Sequence, residues 1–316
     1  MYRRLRSSVI SLSLLLWLAS SASALEQQKE VIVEKKEAHI PAGAGQKPWD
    51  VTRHVIALNE IQSGGPPKNG IPALDRPAFV SVSEADRTLK PQDMVLGTEF
   101  SGVSKAYPVP ILNWHEVVND DVGEQPVIIS WCPLCGSALV FDPRVNGHRY
   151  VFGVSGLLYH ENLLLFDQET ESLWSQLRGQ AVAGPLAGAD LRLLPASVAT
   201  WQSWKAEHPQ TLVLSFQTGY KRDYGRDPYR EWPLDRRMAL IVSKQGQTKI
   251  YPFSELKKAK SAVQDELGGV SFTILFDGKQ QSASVQSSSG DVPPHFTAFL
   301  GNVRAFFPHA EIYKAR

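Results

Sequence analysis

The chain has 316 residues, 43% of them hydrophobic, with 33 Lys and Arg against 32 Asp and Glu, eight tryptophans and two cysteines. Charge this evenly balanced excludes the basic footprint of a nucleic-acid binder, and the apolar and tryptophan content excludes a disordered chain. The length gives one large domain, or two smaller ones, an ample core.

In chain order, Arg3, Arg4 and Arg6 form a positive n-region, residues 9–19 an apolar h-region, and Ala22-Ser23-Ala24 a small-residue cleavage pattern. These features predict a cleavable signal peptide over residues 1–24 and a periplasmic or secreted mature chain. The apolar stretch is about half of the roughly 20 residues a spanning helix needs, which favours cleavage over anchoring. Cleavage removes three arginines and no acid, moving the formal balance from +1 to −2. No later stretch is long and apolar enough to span a bilayer, so no membrane span is expected in the mature chain.

Residues 25–47 are charged and then Ala/Gly-rich, which predicts a flexible leader, with a single domain over 48–316 beginning near Trp49. The run from Ser63 to Pro72 is rich in Gly and Pro and reads as a loop.

The chain then resembles itself. Lys105-Ala106-Tyr107-Pro108 recurs as Lys249-Ile250-Tyr251-Pro252, and Asp120-Asp121-Val122-Gly123 as Asp265-Glu266-Leu267-Gly268. Val127 to Trp131 matches Phe272 to Phe276, and Ser137-Ala138-Leu139-Val140 matches Ser282-Ala283-Ser284-Val285. These matches predict a degenerate internal duplication, copy one over about residues 92–215 and copy two over about 236–316. Each copy reads as β-branched and aromatic strands, a short helix, a hairpin and a closing amphipathic helix. In copy one that closing helix is predicted over 197–207, capped by Ser197 or Thr200 and stopped at Pro209. The fold class is therefore α+β with β predominating, mostly antiparallel sheets in two related lobes.

The duplication supplies an internal control. Copy two carries Asp277, Gly278, Lys279 and Gln280 where copy one carries Cys132, Pro133, Leu134 and Cys135, and Ala259 or Lys260 where copy one carries His115. A scaffold that persists without the sulfurs and the imidazole assigns them to chemistry. A C-x-x-C pair closes almost no loop, so it is also a poor structural staple.

Cys132-Pro133-Leu134-Cys135-Gly136 is followed by Ser137 to Phe141, short and apolar before Asp142-Pro143, which predicts a strand rather than a redox helix. A turn between two strands can aim both sulfurs to one side, as in half of a tetrahedral metal site. The leading expectation is a zinc or copper site on Cys132 and Cys135, completed by His115 and His160, which flank the turn in sequence. Glu116, beside His115, is the nearest candidate acid or base. One alternative is a thiol–disulfide oxidoreductase cycling Cys132 and Cys135, with His115 tuning the thiolate. Another is a non-catalytic binding scaffold with an inert bridge. The expected partner is a small molecule or a redox partner.

Downstream, Ser172-Leu173-Trp174-Ser175-Gln176 puts Trp174 in the core and leaves Glu171, Ser172 and Gln176 as surface polar groups. The loop from Arg222 to Tyr229 is dense in cationic, acidic and phenolic groups, and its Tyr224, Arg226, Asp227 and Tyr229 either bind a ligand or lock the junction between the lobes. Gly136 after Cys135 excludes haem attachment, and no Walker loop, dinucleotide fingerprint or nucleophile elbow is present.

Several ordered pieces resemble the DUF3179 family of mostly exported prokaryotic proteins. They are Asn69-Gly70-Ile71-Pro72, Ala106-Tyr107-Pro108, Asn113-Trp114-His115-Glu116, Asn119-Asp120, Cys132 to Gly136, Gly153 to Gly156, Ser172 to Gln176, Trp201 to Trp204, His208-Pro209 and Tyr224 to Tyr229. The resemblance runs from about residue 49 to the end and implies one long domain. It implies no activity, so the site argument rests on chemistry.

Overall fold

The computed structural model describes residues 30–315 apart from positions 233, 235, 260 and 261. The expected signal peptide over residues 1–24 lies outside the described residues. Strands take 43% of the chain and helices 12%, mostly in antiparallel sheets, so the fold is β-predominant α+β. Among the described residues no helix is long and apolar enough to cross a membrane.

One long sheet organises the molecule. Its strands run in the order Glu311–Ile312, Gln247–Pro252, Met238–Lys244, His295–Phe299, Ser137–Asp142, Gln125–Cys132, Val117–Val122 and Leu74–Asp75. In Gln125–Cys132 successive side chains point to opposite faces, as the pleat requires. Val127 and Ile129 pack with Leu96, Tyr107 and Leu112 on one face. Ile128 and Cys132 join Phe166 and Trp174 on the other. Both faces are covered, which is why the strand reads as a nearly continuous apolar run. A second sheet, built on the hairpin of Phe152–Tyr159 and Asn162–Asp167, supplies the layer on the Cys132 side.

The segment matches in the sequence correspond to matching connections in space. Met94–Phe100 pairs antiparallel with Val103–Pro108 and Ser197–Thr200, and Val103–Pro108 runs parallel to Leu212–Leu214. Met238–Lys244 pairs antiparallel with Gln247–Pro252 and His295–Phe299, and Gln247–Pro252 runs parallel to Glu311–Ile312. Leu96 stands opposite Tyr107 as Leu240 stands opposite Tyr251. A buried polar triad recurs as well. Lys105 Nζ and Tyr107 OH donate to Asp120 Oδ2 at 2.8 and 2.7 Å, while Lys249 and Tyr251 meet Asp265 Oδ2 at 2.9 Å each. The two runs of strands join where Ala138 faces Thr297. That join lies beside the cysteine turn.

Two expectations are corrected. Residues 30–47 are not a free leader: Ile32–Val33 pairs with Arg53–His54, His39–Ile40 pairs with Trp49–Asp50, and Ala42 is buried. Strands of two residues have no periodicity for a sequence reading to detect. The helix predicted over 197–207 begins only at Trp201, capped by Thr200, whose hydroxyl accepts from Ser203 N at 3.3 Å. Ser197–Thr200 is instead an edge strand on Met94–Gly97, where Val198 and Thr200 suit extended backbone.

Candidate functional site: a buried dithiol on a strand–strand turn

Cys132 ends one strand and stands opposite Ser137, which begins the next, as the sequence predicted. Cys135 N donates to Cys132 O at 3.1 Å and closes the bend. Gly136 leaves it at φ +55°, where a side chain would strike the Phe299 ring, and Phe299 N donates to Cys135 O at 2.6 Å. The corresponding bend in the second run, Asp277 to Gln281, needs no sulfur: Asp277 Oδ1 accepts from Lys279 N and Gln280 N at 2.8 and 3.1 Å, and Gln281 takes φ +50°.

Both thiols are free, with Cys132 2% and Cys135 0% exposed. They are neighbours close enough to hydrogen-bond, and burial first, then Cys132, pushes the Cys135 thiol well above its ordinary range. Cys135 Sγ lies 3.2 Å from Glu161 O, which accepts its S–H, and it receives an N–H from Asn162 Nδ2 at 3.4 Å. Behind it stands a closed polar network. Asn162 Nδ2 also donates to Gln176 Oε1 at 2.8 Å, Ser137 Oγ donates to the same oxygen at 2.7 Å, and Gln176 Nε2 donates to Ser130 Oγ at 3.0 Å. Ser130, Ser137, Asn162 and Gln176 are fully buried, so Gln176 is not the surface group the sequence suggested. Neither Asn162 nor Gln176 is flagged by local pattern. The signal available was their place among the ordered family pieces, in the case of Gln176 only.

On the other side of the turn lies the helix Val109–His115, started by Pro110 and ended by Glu116 in the left-handed region at φ +58°. Glycine is the usual residue there, and a glutamate pays of order 1 kcal/mol or more for the conformation, a form of strain that clusters at functional sites. Glu116 O accepts from Trp131 N at 2.8 Å, which fixes the helix end one residue before Cys132 on the neighbouring strand. The Glu116 carboxyl is buried and accepts from Tyr229 OH at 2.8 Å. Burial raises it to about 7, against the lowering effect of that hydrogen bond. The Tyr229 hydroxyl is itself raised by burial and by the negative charge of Glu116, with a smaller contribution from Cys132.

His115 is drawn elsewhere. Its Nδ1 donates to Pro72 O at 2.8 Å, since a carbonyl only accepts, and its Nε2 accepts from Tyr224 OH at 2.8 Å. Burial lowers the pKa of the ring. His160 sits half-buried on the tip of the hairpin beside Tyr159 and Phe306, 3.9 Å from Glu60. Of the four expected metal ligands, the structure brings together only Cys132 and Cys135. Among the described residues no three His, Cys, Asp or Glu side chains stand where they could hold one metal ion.

The segment 218–232 lies over this helix end as a strap. Tyr224 holds His115, Arg226 O accepts from Trp114 Nε1 at 3.2 Å, Asp227 Oδ1 accepts from Asn113 Nδ2 at 3.4 Å, and Tyr229 holds Glu116. Asn113 Oδ1 in turn accepts from Trp131 Nε1 at 2.7 Å. The four ligand-binding candidates therefore clasp Asn113–Glu116, through the side chains of Tyr224, Asp227 and Tyr229 and the backbone of Arg226.

Fold and site together define a β-rich protein carrying a paired, buried dithiol on a strand–strand turn. Residues 68–293, most of the chain, match the DUF3179 family, described as a protein of unknown function, and the chain belongs to that family. Comparisons with curated proteins and with solved structures returned no match.

Proposed function

We propose that the chain is an exported thiol–disulfide exchange protein whose working couple is Cys132 and Cys135. The observation that carries this reading is the pair of free thiols in mutual contact, with no third donor of a metal set beside them among the described residues. Cys132, the less buried sulfur, attacks one sulfur of a partner disulfide and releases the first partner thiolate. Cys135 then attacks Cys132 Sγ, closes the intramolecular disulfide and releases the second thiolate. Two electrons pass to the partner, and the two thiol protons end on its released sulfurs, with Glu116 able to hold one in transit. A carboxyl poised at about 7 suits that role near neutral pH. Both sulfurs are buried, so exchange requires a local opening that exposes Cys132.

The test is a thiol titration of purified, natively folded chain, before and after mild reductant, alongside metal analysis by mass spectrometry. The expected result is two thiols that interconvert reversibly with one disulfide, without stoichiometric metal, and no such couple in Cys132→Ser. Near-stoichiometric zinc or copper lost in Cys132→Ser would replace this reading with the metal site. Thiols or a bridge inert under native conditions would favour the binding scaffold.

A further inference from the structure

Resting on the exchange reading above, we infer that Asn162 is a catalytic residue for the second half of the reaction, donating its side-chain N–H to Cys135 Sγ as that sulfur becomes the attacking thiolate, and that Gln176 is the positioning residue that holds it there.

The orientation of the Asn162 amide is determined by its surroundings rather than by choice of rotamer. Its Oδ1 accepts from Leu177 N at 3.1 Å, and a backbone N–H cannot accept in return, so Nδ2 must face Cys135 and Gln176. Gln176 is fixed by the same logic: its Nε2 donates to Ser137 O at 3.3 Å, which leaves Oε1 to receive both Asn162 Nδ2 and Ser137 Oγ. Each buried polar atom of the two amides has a partner, so the network is locked. A locked N–H aimed at a sulfur needs no reorganisation when negative charge develops there, which is the condition under which a donor accelerates a step. Glu161 O marks the opposite pole, taking the S–H while Cys135 waits. The location argues the same way. Asn162 and Gln176 belong to the stretch between Asp142 and Ser197, which has no counterpart in the second run of strands, so the repeated scaffold does not require them. Ser130 corresponds there to Leu275, which is partly exposed.

The two half-reactions can be separated with the aromatic disulfide 5,5′-dithiobis(2-nitrobenzoate) and the reduced full-length mature chain. Attack by Cys132 releases one coloured thiolate and leaves the second on Cys132; attack by Cys135 releases the second. In Asn162→Ala the ratio of second-phase to first-phase rate should fall about tenfold or more, the size expected for losing a hydrogen bond to a charged group. Asn162→Ser, which keeps an O–H donor, should recover part of the loss, and Gln176→Ala should lower the ratio less than Asn162→Ala. A purely structural role gives a different pattern, because a loosened fold exposes both sulfurs and speeds both phases, leaving the ratio near that of the parent. An unchanged ratio in Asn162→Ala, or no recovery with serine, overturns the inference while leaving the exchange reading intact. Failure of the parent chain itself to release a second thiolate overturns both.

Discussion

Glu116→Gln should make the folded chain more stable than the parent by about 3 kcal/mol at pH 8 and by little at pH 5. In the folded chain the carboxyl sits at about 7, against 4.5 for the free side chain. Between those two values the native state keeps a proton that the unfolded chain has released, so the stability of the parent falls as pH rises through this window and levels off above 7. A separation of this size corresponds to roughly 3 kcal/mol. Glutamine retains the oxygen that accepts from Tyr229 and cannot ionise, so it escapes the loss. His115, whose pKa burial lowers, disfavours the native state at lower pH in both proteins and cancels in the difference. Urea unfolding at intervals from pH 5 to pH 8 measures the gap directly, and parallel stability curves would show that Glu116 is an ordinary carboxylate. The sign matters for function. Under the proposed exchange reading, a carboxyl kept where it weakens the fold at neutral pH serves proton transfer rather than stability.

The strand on either side of the cysteine turn was legible because a short apolar run ending at Asp142-Pro143 is too brief for a helix, and that is what the structure contains. The repeated pairings were legible because Tyr107 and Tyr251 occupy the same register position, and matching registers leave matching residues. The partners of His115 were not legible. Its ring meets Pro72 and Tyr224, 43 and 109 positions away, and no local spacing encodes a contact closed over such distances. Nearness in sequence to Cys132 suggested a ligand; the imidazole instead meets Pro72 and Tyr224, while the carboxyl after the left-handed turn at Glu116 meets Tyr229. Gln176 misled for a related reason. A glutamine after a buried tryptophan reads as a surface group unless one knows that Ser130, Ser137 and Asn162 surround it, and they arrive from three other strands.

The recurring Lys–Tyr–Asp triad separates what the fold needs from what the site needs, and it predicts unequal losses from equivalent substitutions. Asp120→Ala should cost about 3–5 kcal/mol, because it strands the Lys105 ammonium in a nearly dry setting and deprives Tyr107 OH of its acceptor. What remains to Lys105 is Asp121 O at 2.8 Å and the face of the Phe79 ring at 3.9 Å, neither of which neutralises it. Asp265→Ala should cost only about 1–2 kcal/mol, since Lys249 keeps Glu311 Oε1 at 2.7 Å and the site is more open to water. Denaturant unfolding of the two variants decides the matter, and equal losses, or a larger one at Asp265, would refute the ranking. The asymmetry follows from position. Asp120 lies on Val117–Val122, the partner of the strand that ends at Cys132, so the less exposed of the two triads supports the strand pair carrying the dithiol. Asp265 supports a hairpin whose bend holds Asp277 and Gln280 where the sulfurs would stand. Under the proposed exchange reading, a dithiol that meets a partner disulfide in one geometry benefits from a rigid base. Loss of Asp120 should therefore reach beyond stability and loosen the approach of Cys132 to Cys135, whereas loss of Asp265 should leave it untouched.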